Sequence, residues 1–286
     1  MKKYIFFTLI LLPTTLFVYP QSPEIGVMSF NIRVDTKSDK SNRWKYRKKR
    51  VAKTILLNDI DIVGLQEVLH KQLTDIEYML PEYTWVGVGR KDGVKKGEYA
   101  PIFYNHNKFS KIDSGYFWLS ETPFKEGSVG WDAACTRIAT WIKLKIIDSE
   151  KEIFVLNTHL DHSGVKAREE SAKLILEKIS VHTQKKNFPV VVIGDFNTPP
   201  ETETIKILTD STNPLHLTDS RYVSPVKSGP DWTFHNFGIL PLEKREVIDY
   251  ILIKNDVEVI SYETIDGTKT TDYPSDHNAI VARLKL

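Results

Sequence analysis

The chain has 286 residues, 41% hydrophobic and 27% charged, a globular balance that supplies apolar surface for a buried core and excludes disorder as a global state. Without Lys2 and Lys3 the 39 Lys plus Arg fall to 37, against 37 Asp plus Glu, and this zero balance disfavours a protein that grips long nucleic acid through many phosphates. Cys135 is the one cysteine, so an intrachain disulfide and a cysteine-ligated metal cluster are excluded.

Lys2 and Lys3 followed by an apolar run over 5–18 read as an export signal, with residues 1–21 removed and a mature protein that is periplasmic or secreted. The run is interrupted by Pro13, Thr14 and Thr15 and is short of the roughly 20 apolar residues that span a bilayer, so an N-terminal anchor is the rival reading and no stable membrane span is expected. Residues 22–286 are expected to form one catalytic domain acting as a monomer, because no repeat, low-complexity tract or long linker interrupts them.

Along that domain, 25–31 reads as a buried strand, 35–42 as a polar segment and 44–57 as a helix. Trp44, Arg47, Val51, Thr54 and Ile55 recur at helical spacing, and the basic run over 43–50 is read chiefly as a solvated helix face. Further strands are expected at 60–65, 102–104, 138–147, 153–157, 190–193, 247–253, 258–264 and 279–284, and helices at 71–80, 165–182 and 203–208. Strands and helices mix without regular alternation, which suits an α+β architecture of layered sheets covered by helices.

Chemistry gathers where the apolar strands end or begin. Asn31 closes the first strand, Glu67 follows Leu65-Gln66, His159 follows Asn157-Thr158, and Asp195 and Asn197 follow 190–194. Asp249 stands between Ile248 and Tyr250, and Asp276 and His277 precede the last strand. Each alone has an ordinary explanation: a satisfied structural histidine, an Asx turn at Asp195-Phe196-Asn197, or a helix cap at Glu67. Eight such residues in one chain argue for six elements converging on one cleft. A hard cation such as Mg²⁺ or Mn²⁺ takes oxygen ligands, which Glu67, Asn31 and Asp276 supply. Phosphoester cleavage also requires a base or positioner for water and donors to the phosphoryl oxygens, roles open to His277, Asp249, Asp195, Asn197 and His159.

The ordered segments Ser29-Phe30-Asn31, Leu65-Gln66-Glu67, Asn157-Thr158-His159, Gly194-Asp195-Phe196-Asn197, Ile248-Asp249-Tyr250 and Ser275-Asp276-His277 resemble the endonuclease/exonuclease/phosphatase superfamily. That group includes deoxyribonuclease I, abasic-site endonucleases, neutral sphingomyelinases, inositol polyphosphate 5-phosphatases and deadenylases. The resemblance implies a four-layer α/β/β/α sandwich with two packed mixed β-sheets, and a divalent-metal-dependent hydrolase acting on nucleic acid, a phospholipid head group, or a sugar or inositol phosphate. It implies Asn31, Glu67 and Asp276 at the metal, and Asp195 and Asn197 as the turn that orients water and contacts phosphate. Asp249 and His277 match a carboxylate-imidazole pair with His277 preferred as base, and His159 matches a second histidine facing the phosphate. Arg33 departs from the abasic-site enzymes, where an acid stands, and its charge weighs against a second metal there. A non-catalytic carbohydrate- or phosphate-binding module on the same scaffold is the rival reading.

Substrate choice is expected to lie in segments between the motifs: 89–100, 116–137 with Phe117, Trp118, Phe124 and Trp131, and Trp232-Thr233-Phe234-His235. Their aromatics read either as sheet-edge packing or as a platform for a ring or lipid. Arg33 and Arg137 read as phosphate contacts or as surface salt bridges.

Overall fold

In a computed structural model, residues 1, 22–183, 186–268 and 272–286 are described. The proposed export signal lies outside them apart from Met1. Among the described residues no helix is long and apolar enough to cross a membrane.

The chain builds, in order, β1 (Glu24–Asn31), α1 (Trp44–Leu57), β2 (Ile62–Gln66), α2 (His70–Met79), β3 (Tyr83–Val86), β4 (Ile102–Asn105) and β5 (Phe109–Trp118). It continues with β6 (Ile138–Ile146), β7 (Glu152–His159), α3 (Val165–Thr183), β8 (Val190–Asp195) and α4 (Glu203–Thr209). The last elements are β9 (Thr218–Asp219), α5 (Ser220–Val223), β10 (Lys227–Ser228), β11 (Asp249–Lys254), β12 (Glu258–Thr264) and β13 (Ile280–Lys285). One sheet has the order β10-β12-β13-β1-β2-β4-β3, the other β5-β6-β7-β8-β11-β9. Both are mixed: β1 runs parallel to β2 and β7 to β8, while most other pairs are antiparallel.

The two sheets pack face to face. Val27, Ile62 and Ile280 of the first meet Val155, Ile193 and Ile251 of the second in one apolar layer. Strand alternation sends Met28, Phe30, Val63 and Leu65 to the opposite face, where Trp44, Val51, Ile55, Leu73 and Ile76 of α1 and α2 cover them. On the far side Phe154, Leu156, Val190 and Val192 pack beneath Ala172, Ile175, Ile179 and Leu208 of α3 and α4. The result is the expected four-layer sandwich, and central strands covered on both faces read as near-continuous apolar runs for this reason.

Several details differ from the sequence reading. β5 was not anticipated, because this edge strand exposes Ser110 to Asp113. The short elements β3, β9, α5 and β10 were also missed. The strand expected from 247 begins at Asp249, because Thr233 Oγ1 accepts the N–H groups of both Ile248 and Asp249.

Candidate active site

Register brings the functional residues together. Asn31 pairs with Gln66 across β1 and β2, His159 with Asp195 across β7 and β8, and Asp195 with Asp249 across β8 and β11. The loop before β13 is tied to β1 by Ser275 Oγ, which donates to the Asn31 carbonyl at 2.6 Å. All eight residues proposed from sequence therefore stand at one end of the paired sheets. Six are buried, with Glu67 and Asn197 half-buried, and a cavity of about 390 Å³ is lined by Glu67, His159, Asp195, Asn197, Asp276 and His277.

Two backbone turns aim side chains into it. Glu67 has φ +61° and Asn197 φ +52°, both in the left-handed region. Asparagine tolerates that conformation, whereas for glutamate it is costly and persists where surrounding contacts impose it. Those contacts are present: Glu67 Oε2 accepts the Val34 N–H at 2.9 Å and Oε1 accepts the Asn31 amide at 3.1 Å. The same Asn31 Nδ2 donates to Asp195 Oδ2 at 2.8 Å, and Asn31 Oδ1 accepts the Arg33 N–H. Asn31 thus bridges the two carboxylates through its nitrogen.

His277 Nδ1 meets Asp249 Oδ2 at 2.9 Å, and its Nε2 lies 3.8 Å from Asp195 Oδ2. His159 Nε2 approaches the same oxygen at 3.4 Å and Asn197 Nδ2 at 2.8 Å. Asp195 is accordingly the hub between two histidines. Burial and then the charge of Asp249 push Asp195 up to about 7. Burial opposes charge on His277, yet Asp249, with Asp195 and Asp276 beyond it, carries the ring up to about 10. His159 is held well below its usual value by burial and by Arg137, so it is neutral at physiological pH. At Glu67 burial resists ionisation, but the Val34 N–H, the His277 charge and the Asn31 amide hold it below the usual carboxylate range.

The donor set suits a hard divalent cation. Asp195, Asp249 and His277 bring ligand atoms close enough together to hold an ion, Asp249 Oδ1 is buried with no hydrogen-bond partner among the described residues, and Glu67 and Asp276 add carboxylate oxygens to the same cavity. A second cluster, Cys135, Asp161 and His162, is close enough to hold a metal but is already committed. Asp161 Oδ1 accepts the N–H groups of Ala134, Ser163 and Gly164, and Oδ2 pairs with Arg137 Nε at 3.2 Å.

Arg137 is therefore not a surface salt bridge. It is 4% exposed, pinned by Asp161 and donating Nη2 to His162 Nδ1 at 2.9 Å. Arg90, paired with Glu98 at 2.7 Å, and His162 also line the cavity. The first two lie inside the 89–100 segment expected to choose substrate, while His162 was missed although it stands three residues past His159. Of the aromatic segments, Phe234 reaches the cavity, its ring 4.9 Å from that of His277. Phe117 and Trp118 are core, as the packing reading has it, and Trp232 lies under Arg245. The basic run on α1 needs correction at one position. Arg47 is fully buried and donates to the carbonyls of Ile32, Arg33, Asn42 and Pro274, so it clamps the segments flanking the site instead of facing solvent.

Residues 28–277 match the Endonuclease/Exonuclease/phosphatase family. The structure of an endonuclease/exonuclease/phosphatase from Bacteroides vulgatus is 42% identical, covering 92% of this chain and 99% of that one, with a TM-score of 0.88. A mannosyl-6-phosphatase from Bacteroides thetaiotaomicron VPI-5482 is 34% identical over 92% of this chain and 100% of its own, with a TM-score of 0.85. Human Nocturnin is 25% identical over 91% of this chain, which spans 64% of Nocturnin's length. Sequence match, shared two-sheet fold and converging carboxylates and histidines agree: the chain belongs to the Endonuclease/Exonuclease/phosphatase family, a family of divalent-metal-dependent phosphoester hydrolases.

Proposed function

We propose that this protein is an exported hydrolase of small phosphoesters, a sugar phosphate above all, and that it uses Mg²⁺ or Mn²⁺. The observation that carries the reading is the single cavity in which Glu67 and Asp276 face the Asp249-His277-Asp195 chain, with His159 and Asn197 beside it. About 390 Å³ matches one ring and its phosphate. The balanced charge argues against a polyanion track, and the likeness to a mannosyl-6-phosphatase extends over nearly the whole chain. A non-catalytic binding module has no use for so complete a set of acid-base groups.

Glu67, Asp276 and Asn31 are the residues proposed to hold the metal, which when bound neutralises charge on the phosphoryl oxygens. The protein's own groups do the rest. Asp249 orients the His277 ring by accepting from Nδ1, leaving Nε2 directed at the centre. Sequence favoured His277 as base; the electrostatics favour Asp195 as the group exchanging a proton near neutrality, with His277 a cation beside the developing charge. Neutral His159, positioned by Asn197, faces the same oxygens.

Export rests on Lys2, Lys3 and the apolar run over 5–18, and N-terminal sequencing of the secreted or periplasmic fraction checks it. For substrate, phosphate release from mannose 6-phosphate and inositol phosphates, shortening of RNA and DNA, and phosphocholine release from sphingomyelin are compared on one preparation with Mg²⁺ or Mn²⁺ and again with chelator. Preference for the hexose phosphate, abolished by chelator, is expected. Turnover confined to RNA or DNA would overturn the substrate reading.

A further inference from the structure

Arg33 follows the end of β1 in the left-handed region, φ +58°. Its N–H is held by Asn31 Oδ1 at 2.9 Å, and its carbonyl accepts from Gln72 Nε2 at 2.8 Å and Arg47 Nη2 at 3.2 Å. With the backbone fixed on both sides, the side chain is directed to the cavity, which it lines. There the guanidinium stands among three carboxylates. Nε and Nη2 contact Asp39 at 3.2 Å each, Nε lies 3.6 Å from Asp276 Oδ2, and Nη1 lies 3.9 Å from Glu67 Oε2. Its side chain remains 32% exposed, whereas Asp276 and Asp39 are buried partners at 4% and 7%.

We infer that Arg33 is a resident cation sharing the charge niche of Glu67 and Asp276, and that it sets how tightly this protein holds its divalent metal. The inference rests on the reading of Glu67 and Asp276 as metal-side residues. In the metal-free protein the guanidinium offsets two carboxylates that otherwise repel each other across the cavity. A divalent cation taken up by the same oxygens meets a positive charge already beside them. Charges of +2 and +1 on the order of 5 Å apart disfavour binding by more than tenfold even at the dielectric constant of water. Asp39 pulls from the other side, holding Arg33 by two contacts and so keeping it from settling fully onto Glu67 and Asp276. Two perturbations of one ion pair therefore have opposite signs. Loss of Arg33 tightens metal binding, and loss of the Asp39 charge weakens it. A merely structural Arg33-Asp39 pair, holding the 33–43 loop in place, moves both in the same direction.

The test is calorimetric titration of the metal-stripped protein with Mn²⁺, without substrate or turnover. Arg33→Gln is expected to bind about tenfold more tightly than wild type, the repulsion being removed. Arg33→Lys, which keeps the charge, is expected to stay within about threefold, and Asp39→Asn to weaken binding several-fold. Glu67→Gln is the control, expected to abolish the same binding event. If Glu67→Gln abolishes binding but Arg33→Gln leaves it unchanged or weaker, the inference fails while the site stands. That includes the case in which Arg33→Gln raises only the KM for substrate. If Glu67→Gln leaves Mn²⁺ binding untouched, the metal reading falls, and the inference with it. Should Arg33→Gln not fold by circular dichroism, Asp39→Asn decides, and tighter binding there overturns the inference.

Discussion

Replacing Asp249 by alanine removes the acceptor that His277 Nδ1 meets at 2.9 Å, between side chains that are 1% and 4% exposed. A buried hydrogen bond to a charged group is worth about 1.5–3 kcal/mol, roughly 10- to 150-fold in rate when it is needed in the transition state. Loss of the ring's orientation and of its counter-charge adds to this, and in carboxylate-imidazole-nucleophile triads disabling the carboxylate costs about 10⁴-fold. Turnover of Asp249→Ala is therefore expected to fall by about 10²–10³ and that of His277→Ala by about 10³ or more. The double variant is expected within about threefold of His277→Ala, because the carboxylate has no ring left to orient. His159→Ala combined with Asp249→Ala is a different case. Both histidines approach Asp195 Oδ2, at 3.4 and 3.8 Å, so their losses multiply but fall short of a full product. The assay is steady-state phosphate release with saturating metal, after circular dichroism shows native folds. Fully multiplicative losses for Asp249 and His277 would refute the pairing.

Glu67→Ala is expected to remove at least about 10²-fold of activity through weakened metal binding, with partial rescue at high Mg²⁺; wild-type rate and metal dependence would place the metal elsewhere. Arg47→Met leaves four carbonyls without their buried donor and is expected to cost about 3–5 kcal/mol, lowering Tm by roughly 6–15 °C. A calorimetric shift under about 2 °C, the scatter of surface substitutions, would return Arg47 to the solvated face of α1. Burial, aided by the charges of His277 and Arg245, holds His235 down to about 3. Its unfolded value is about 6.5, so the unfolded chain binds more protons between these limits and stability falls as pH drops through that window. His235 alone is expected to cost about 2 kcal/mol between pH 6.5 and 4.5, seen in urea midpoints. His235→Gln should flatten that slope, and an unchanged slope refutes the assignment.

The site was legible because its residues stand where doubly buried strands stop. Val27, Met28 and Phe30, like Val190 to Ile193, are apolar and covered on both faces of their sheets, so a polar residue at the strand ends is conspicuous. What sequence could not supply was pairing across distance. Arg47 carried the right helical spacing with Trp44, Val51 and Ile55, but its charge argued for solvent, and the four carbonyls that satisfy it come from three other segments. Arg137 gave no sign of Asp161, 24 residues away, nor Arg33 of its place among three acids. β5 was invisible because an edge strand with solvent on one side has no need of apolar continuity.

The motif residues that do no chemistry explain why the chemistry is held in place. Gln66 and Asn157, one and two residues before Glu67 and His159, are both fully buried and belong to different sheets. Gln66 Nε2 donates to Asn157 Oδ1 at 2.7 Å, and Asn157 Nδ2 donates to the carbonyls of Leu65 and Pro101 at 2.9 and 2.8 Å. Gly64 admits this approach, since a Cβ there would come within 2.7 Å of the Asn157 carboxamide. Apolar sheets packed face to face are held by non-directional contacts that leave small relative shifts inexpensive. A directional amide pair between the sheets penalises such shifts, because each displaced amide becomes an unsatisfied buried polar group costing about 1–3 kcal/mol. Glu67 on one sheet and His159 on the other thereby keep a fixed separation, as a reaction sensitive to displacements of about 1 Å requires.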